Sequence, residues 1–80
     1  MWFLYIIETE NNKLYTGITT DVERRFQEHL CEPKGAKFLK ANPPKKVVYT
    51  EEYENRSEAS KREAQVKKLS RKEKNLLIKT

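Results

Sequence analysis

The sequence predicts an α/β protein of the α+β kind: a three-stranded antiparallel sheet flanked by helices, in the order β-β-α-(α)-β-α-α. Three observations lead there. Trp2-Phe3-Leu4-Tyr5-Ile6-Ile7 is a near-continuous aromatic and β-branched run, and an alternating stretch follows it after a turn signal. Two capping-box patterns, Thr20-Asp21-Val22-Glu23 and Ser70-Arg71-Lys72-Glu73, open segments of helical periodicity. Beyond the hairpin, Lys46-Val47-Val48-Tyr49-Thr50 is the one further strand candidate, and so small a sheet needs helices laid against it.

The elements follow in order. The Trp2–Ile7 run is apolar on both parities, which fits a strand covered on both faces. Asn11-Asn12 supplies the turn, because asparagine tolerates left-handed backbone angles. Leu14, Thr16 and Ile18 then alternate with Lys13, Tyr15 and Gly17, giving the second strand. A helix capped by Thr20 and Glu23 carries Val22, Phe26 and Leu30 on one stripe and fades near Cys31 to Pro33. Gly35–Lys40 reads as a short helical piece stopped by Asn42-Pro43-Pro44. Asn55 or Ser57 caps the next helix, which runs to about Leu69, and the Ser70 box opens the last, which offers Leu76 and Leu77 to the core.

The length of 80 residues bounds the chain to one domain, residues 1–80, with no repeat, low-complexity segment or interdomain linker. No stretch approaches the roughly 20 apolar residues of a membrane span, and residues 2–7 are too short for a signal peptide. A single cysteine, Cys31, excludes an internal disulfide and fits a reducing compartment; with one histidine in the chain it reads as an incidental thiol. The expected location is cytoplasmic. The 17 Lys and Arg against 12 Asp and Glu leave a net charge of +5, which favours polyanionic partners and equally serves solubility.

Three features bear on chemistry. Arg25 and His29 are four apart on one helix face, at the boundary of core and solvent, where such a pair can grip a phosphate and move a proton; an amphipathic helix with a boundary histidine has the same pattern. Glu63 falls on the apolar stripe of Ala59, Val66 and Leu69, among Lys61, Arg62, Lys67 and Lys68. A carboxylate there either pairs with a buried cationic side chain or faces a cleft and holds a metal ion. Tyr5 and Tyr15 sit ten residues apart in the hairpin, where they serve packing or a site, and Gly17 inside a strand marks a close approach of a ligand or another backbone. For both tyrosines to line one site they must share a sheet face. A three-residue loop at 10–12 sets Tyr5 opposite Gly17 and meets that condition, whereas a two-residue loop at 11–12 separates them.

Together these residues resemble the GIY-YIG nuclease superfamily. Leu4-Tyr5-Ile6 and Tyr15-Thr16-Gly17 match its two tyrosine triplets, Arg25 and His29 its first helix, and Glu63 the glutamate of a later helix. The resemblance covers essentially the whole chain and is nearest to the small single-domain YhbQ- and YazA-like branch, through Lys13–Phe26, Gly35–Lys37 and Lys61–Leu69. Leu4 replaces the first glycine of the signature and Thr16 the isoleucine of the second triplet, while Asn75 does not match the asparagine that many members carry downstream.

The resemblance implies a metal-dependent endonuclease that hydrolyses DNA phosphodiester bonds, structure-selective and serving repair or recombination. It implies one divalent cation, Mg²⁺ or alternatively Mn²⁺, on Glu63, with Arg25 on the scissile phosphate. Tyr15, assisted by Tyr5 or His29, positions or deprotonates the attacking water. Gly17 and Lys37 contact substrate. The implied partner is nucleic acid, DNA first, with no membrane and a monomeric chain. Active members usually carry an extra DNA-binding domain, so the alternative is a basic nucleic-acid-binding module that keeps the nuclease fold and cleaves little, or only with a protein partner.

Overall fold

The N-terminal apolar run becomes β1 (Trp2–Thr9) and the alternating stretch becomes β2 (Leu14–Thr19), in a computed structural model that describes residues 1–31 and 37–79, Lys37 by its backbone alone. The turn between them forms as the asparagines require. Asn12 takes a φ of 62°, the Thr9 amide donates to the Lys13 carbonyl at 2.9 Å, and the Thr9 hydroxyl donates to Asn11 Oδ1 at 2.6 Å. This closes a loop over residues 10–12 and sets the register Tyr5↔Gly17 and Ile7↔Tyr15. Side chains alternate along a strand, so both tyrosines project from the same face.

The remaining elements are α1 (Val22–Cys31), α2 (Lys37–Ala41), β3 (Pro44–Tyr53), α3 (Arg56–Lys67) and α4 (Arg71–Lys79). The sheet order is β2-β1-β3, all neighbours antiparallel, so β1 is central. That position explains its composition: Leu4, Tyr5, Ile6 and Ile7 are all buried, as a strand packed on both faces requires. On one face Tyr5, Ile7 and Leu39 pack with Tyr15, Val22, Phe26 and Val47; on the other, Leu4, Ile6 and Val66 pack with Leu14, Ile18, Leu69, Leu77 and Ile78. Full burial of each aliphatic side chain contributes about 1.5–3 kcal/mol over leaving it exposed.

β3 runs well past the expected residues 46–50, because it pairs along the whole length of β1. Hydropathy under-reads it, since an edge strand tolerates polar side chains such as Lys45, Lys46 and Glu52, and Pro44 can stand as its first residue. The caps divide. The Ser70 amide donates to Glu73 Oε1 at 2.9 Å and the Glu73 amide to Ser70 Oγ at 3.1 Å, the reciprocal box expected. At α3 the cap is Asn55, whose Oδ1 accepts from the Glu58 amide at 3.0 Å. At α1 the expectation of Thr20 is corrected: Asp21 Oδ1 accepts from the Arg24 amide at 3.0 Å, and the Asp21 amide is itself held by Thr19 Oγ1 at 3.2 Å. Aspartate caps better than threonine, so the shift by one residue favours the stronger of two adjacent candidates.

α3 is fastened to β3 through Glu51. Arg62 donates to both its carboxylate oxygens, Nε at 2.9 Å and Nη2 at 3.2 Å, and the hydroxyls of Tyr53 (2.7 Å) and Tyr49 also donate to it. Burial acts to raise the Glu51 pKa, but these donors outweigh it and hold the carboxyl below its ordinary value. The helix that carries Glu63 is thereby held in place by the residue immediately before it.

Thr16 is a weak point. It is only 4% exposed, and its hydroxyl has no partner among the described residues. An unpaired buried hydroxyl costs about 1–3 kcal/mol, so Thr16→Val is expected to stabilise the protein by about 1 kcal/mol. Thermal unfolding followed by circular dichroism should then show a Tm higher by roughly 4–8 °C; an unchanged or lower Tm means that the hydroxyl is bonded after all.

Candidate active site

Four elements bring the candidate residues together. β1 supplies Tyr5, β2 supplies Tyr15 and Gly17, α1 supplies Arg25 and His29, and α3 supplies Glu63. Tyr5 is 2% exposed, and its hydroxyl lies 3.1 Å from His29 Nε2. The rings of Tyr5 and Tyr15 have centroids 6.3 Å apart, and Tyr15 meets His29 nearly edge-on at 5.7 Å. The two-tyrosine site therefore passes its geometric condition.

Gly17 answers to Tyr5. A methyl group there would stand 2.5 Å from the Tyr5 hydroxyl oxygen and 2.7 Å from Cζ, so the phenol lies directly over the glycine. The close approach expected at this strand glycine is made by a side chain of the hairpin itself. Lys37, Gly35 and Ala36 fall outside what the structure describes, Lys37 in its side chain, and the phosphate contact expected of Lys37 lies there.

The structure corrects the reading of α1. His29 is 1% exposed and wholly inside, whereas Leu30, expected on the buried stripe, is 46% exposed. Helical periodicity admits either of two adjacent residues, and the approach of α1 to the tyrosine face selects the histidine. Burial lowers the His29 pKa and the Arg25 charge lowers it further, against a smaller opposite effect of Glu28, so the ring is neutral near pH 7. Its Nε2 is occupied by Tyr5, and Nδ1 is buried without a partner among the described residues. Burial first and Tyr15 second push the Tyr5 hydroxyl up to about 12, so it remains a neutral phenol.

The neutral histidine has a consequence for stability. In the unfolded chain it binds a proton near its ordinary 6.5, while in the folded protein it does so only at lower pH. The unfolded state therefore holds more protons in that interval, and stability should fall as pH drops from about 6.5 toward 5. Denaturant unfolding across this range checks it. His29→Gln should flatten the slope, and an unchanged slope would assign the effect elsewhere.

Arg25 is partly exposed, lies beside the Tyr5 hydroxyl, and rests on Glu28 with Nη1–Oε1 at 3.1 Å. Sequence reasoning missed Glu28, although its place three residues after Arg25 was a usable signal. Glu63 is 24% exposed and close enough to Tyr5 for its charge to raise that pKa. Its cationic partner is Lys67, at 3.4 Å and itself 56% exposed, so the pairing with a buried cation offered as one reading is not what forms. An exposed pair of this kind is weak and readily exchanged. Among the described residues no group of three or more His, Cys, Asp or Glu side chains is arranged to hold a metal ion. One accessible carboxylate suits a hydrated divalent cation completed by water and substrate phosphate, and does not suit an all-protein cage.

The model of the GIY-YIG catalytic domain matches residues 1–76. A UPF0213 protein of Desulfotalea psychrophila is 46% identical over 78 residues, covering 98% of this chain and 71% of its own. The UPF0213 protein YhbQ of Escherichia coli is 48% identical over 77 residues, 96% of this chain and 76% of its own. The solution NMR structure of a UPF0213 protein from Bacillus halodurans superposes with a TM-score of 0.62 at 39% identity, covering 99% of this chain and 84% of that one. Fold and family model agree, and the chain belongs to the GIY-YIG catalytic domain family, a nuclease superfamily.

Proposed function

We propose that the chain is a metal-dependent endonuclease that hydrolyses DNA phosphodiester bonds at the Tyr5, Tyr15, Arg25, His29 and Glu63 cluster. The observation that carries the proposal is the clustering of a guanidinium, two phenols and a neutral imidazole on one face of the sheet, with the partly open carboxylate of α3 near enough for its charge to act on Tyr5. Simple packing needs no such collection.

Each residue has a role its surroundings support. Arg25 exchanges Glu28 for two non-bridging oxygens of the scissile phosphate, which its planar fork matches. There it offsets the charge that gathers in the transition state. Tyr15, partly exposed, orients the attacking water. His29, uncharged, keeps the Tyr5 phenol in position, and Tyr5 sets the place of Arg25 and Tyr15 around it. Glu63, released from Lys67, would hold Mg²⁺, or Mn²⁺, an ion that would supply Lewis-acid polarisation of phosphoryl oxygen. Gly17 serves by leaving room for Tyr5. The excess of 17 basic over 12 acidic residues supplies salt-sensitive contacts that carry little sequence information, so discrimination falls on substrate shape, as repair or recombination intermediates offer it.

The test is a cleavage assay on labelled single-stranded, duplex, flapped and four-way-branched DNA in Mg²⁺, Mn²⁺ or EDTA. Cutting that needs the metal and prefers one shape supports the proposal. Salt-sensitive binding with no cutting on any substrate replaces it with a nucleic-acid-binding module that needs a partner protein to cleave.

A further inference from the structure

Beside Tyr15, on the rim of the site, stands a ring that the proposed chemistry does not use. Phe38 of α2 lies against Tyr15 with centroids 6.0 Å apart and planes only 27° from parallel, yet the residue is 37% exposed. Packing and hydrogen bonds hold its helix in place. The neighbouring Leu39 is 1% exposed and packs between Tyr5 and Ile7, which pins α2 to the sheet. The Phe38 carbonyl accepts two hydrogen bonds from Asn42, from the backbone amide at 2.9 Å and from Nδ2 at 2.8 Å. One turn of helix thus holds a partly exposed aromatic ring next to the phenol proposed to orient water.

We infer that Phe38 is a stacking platform for an unpaired nucleobase next to the scissile phosphate, which directs the protein to single-stranded DNA or to single-stranded arms of branched DNA. The inference rests on the nuclease reading of the same site and adds a substrate class to it. The physics is specific. Any base offers a π-face to an aromatic side chain, so stacking is tolerant of sequence. Inside a duplex both faces of each base are already covered, and the platform is useful only where a base is free. Exposed Lys40 on the same helix and the partly exposed Arg25 provide the positive charge that the adjoining phosphates need.

The experiment is equilibrium binding of the full chain, in EDTA, to a fluorescently labelled single strand and to the duplex of the same sequence at equal salt. Thermal unfolding verifies that each variant is folded. Wild type should prefer the single strand, and Phe38→Ala should weaken that binding about tenfold while barely affecting the duplex. Phe38→Leu, which keeps apolar packing on Tyr15 without a stacking face, should behave like Phe38→Ala, and Phe38→Trp should bind at least as well as wild type. Unchanged binding by the alanine or leucine variant, or an equal loss on duplex, overturns the inference. The two readings separate when Mg²⁺ is added. If the binding pattern holds and wild type cuts nothing, the platform stands and the nuclease reading fails. If wild type cuts and the binding series is flat, the platform alone falls. Absence of binding by wild type overturns the platform, and absence of cutting as well once Mg²⁺ is added overturns both.

Discussion

Arg25→Ala and Glu63→Gln are each expected to lower the rate of DNA cleavage by about two to three orders of magnitude or more, as loss of a group that stabilises developing charge does. Neither side chain holds the fold. Among the described residues Arg25 reaches Glu28, 47% exposed, and the Tyr5 hydroxyl, while Glu63 reaches Lys67, which is more exposed still. Exposed pairs of this kind contribute about 0–1 kcal/mol, so melting temperatures should stay within a few degrees of wild type. This combination of large kinetic and small thermodynamic effects separates a site from a packing cluster. The two variants should also fail differently. Glu63→Gln keeps shape and removes charge, so its loss should be partly relieved by raising Mn²⁺ or Mg²⁺; Arg25→Ala should not respond to metal. Arg25→Lys should restore little, because an ammonium cannot make the paired contact of a guanidinium. Single-turnover cleavage across a metal titration measures all three. Activity within a few fold of wild type in either variant would remove that residue from the mechanism.

Gly17→Ala should be the most destabilising small change in the hairpin, against the usual tendency. Replacing a strand-interior glycine by alanine normally stabilises by roughly 0.5–1 kcal/mol, because glycine loses more freedom on folding. Here the added methyl would fall 2.5 Å from the Tyr5 hydroxyl oxygen and 2.7 Å from Cζ, far inside contact distance. The phenol has little room to retreat, since Tyr5 is 2% exposed, its hydroxyl is held at 3.1 Å from His29, and its ring is boxed by Tyr15 and Leu39. Overpacking of this kind costs about 1–3 kcal/mol, and a domain of this size loses roughly 4–8 °C of Tm per kcal/mol. The displaced phenol also disturbs Arg25 and His29, so activity should fall with stability. A double-mutant cycle assigns the cause: in a Tyr5→Val background the same Gly17→Ala change should cost much less. Equal cost in both backgrounds would mean that the strain lies in the backbone of β2.

Much of this protein was legible along the chain because the determining interactions are local. A run apolar on both parities marked a strand covered on both faces before any sheet was known, and the structure makes it the central one. Asn12 and the loop length determined the hairpin register, and with it the shared face of Tyr5 and Tyr15, because side-chain direction alternates with a period of two. The Ser70–Glu73 box formed as spelled, its partners being three residues apart. The triplets, Arg25, His29 and Glu63 pointed to the family now shown by its domain model.

What the tertiary structure decided are choices between near-equal local options and contacts between distant elements. It buried His29 and exposed Leu30, because a helical stripe is wider than one residue and the docking angle selects within it. It capped α1 with Asp21, the stronger of two neighbouring capping residues. It gave Gly17 to the Tyr5 ring, left Glu63 on an exchangeable exposed lysine, tied α3 to β3 through Glu51 and Arg62, and set Phe38 beside Tyr15. Apart from the Asp21 cap and the Glu63–Lys67 pair, which are local, these are contacts between separate elements. Periodicity records which way a side chain faces, and carries no record of what comes to meet it.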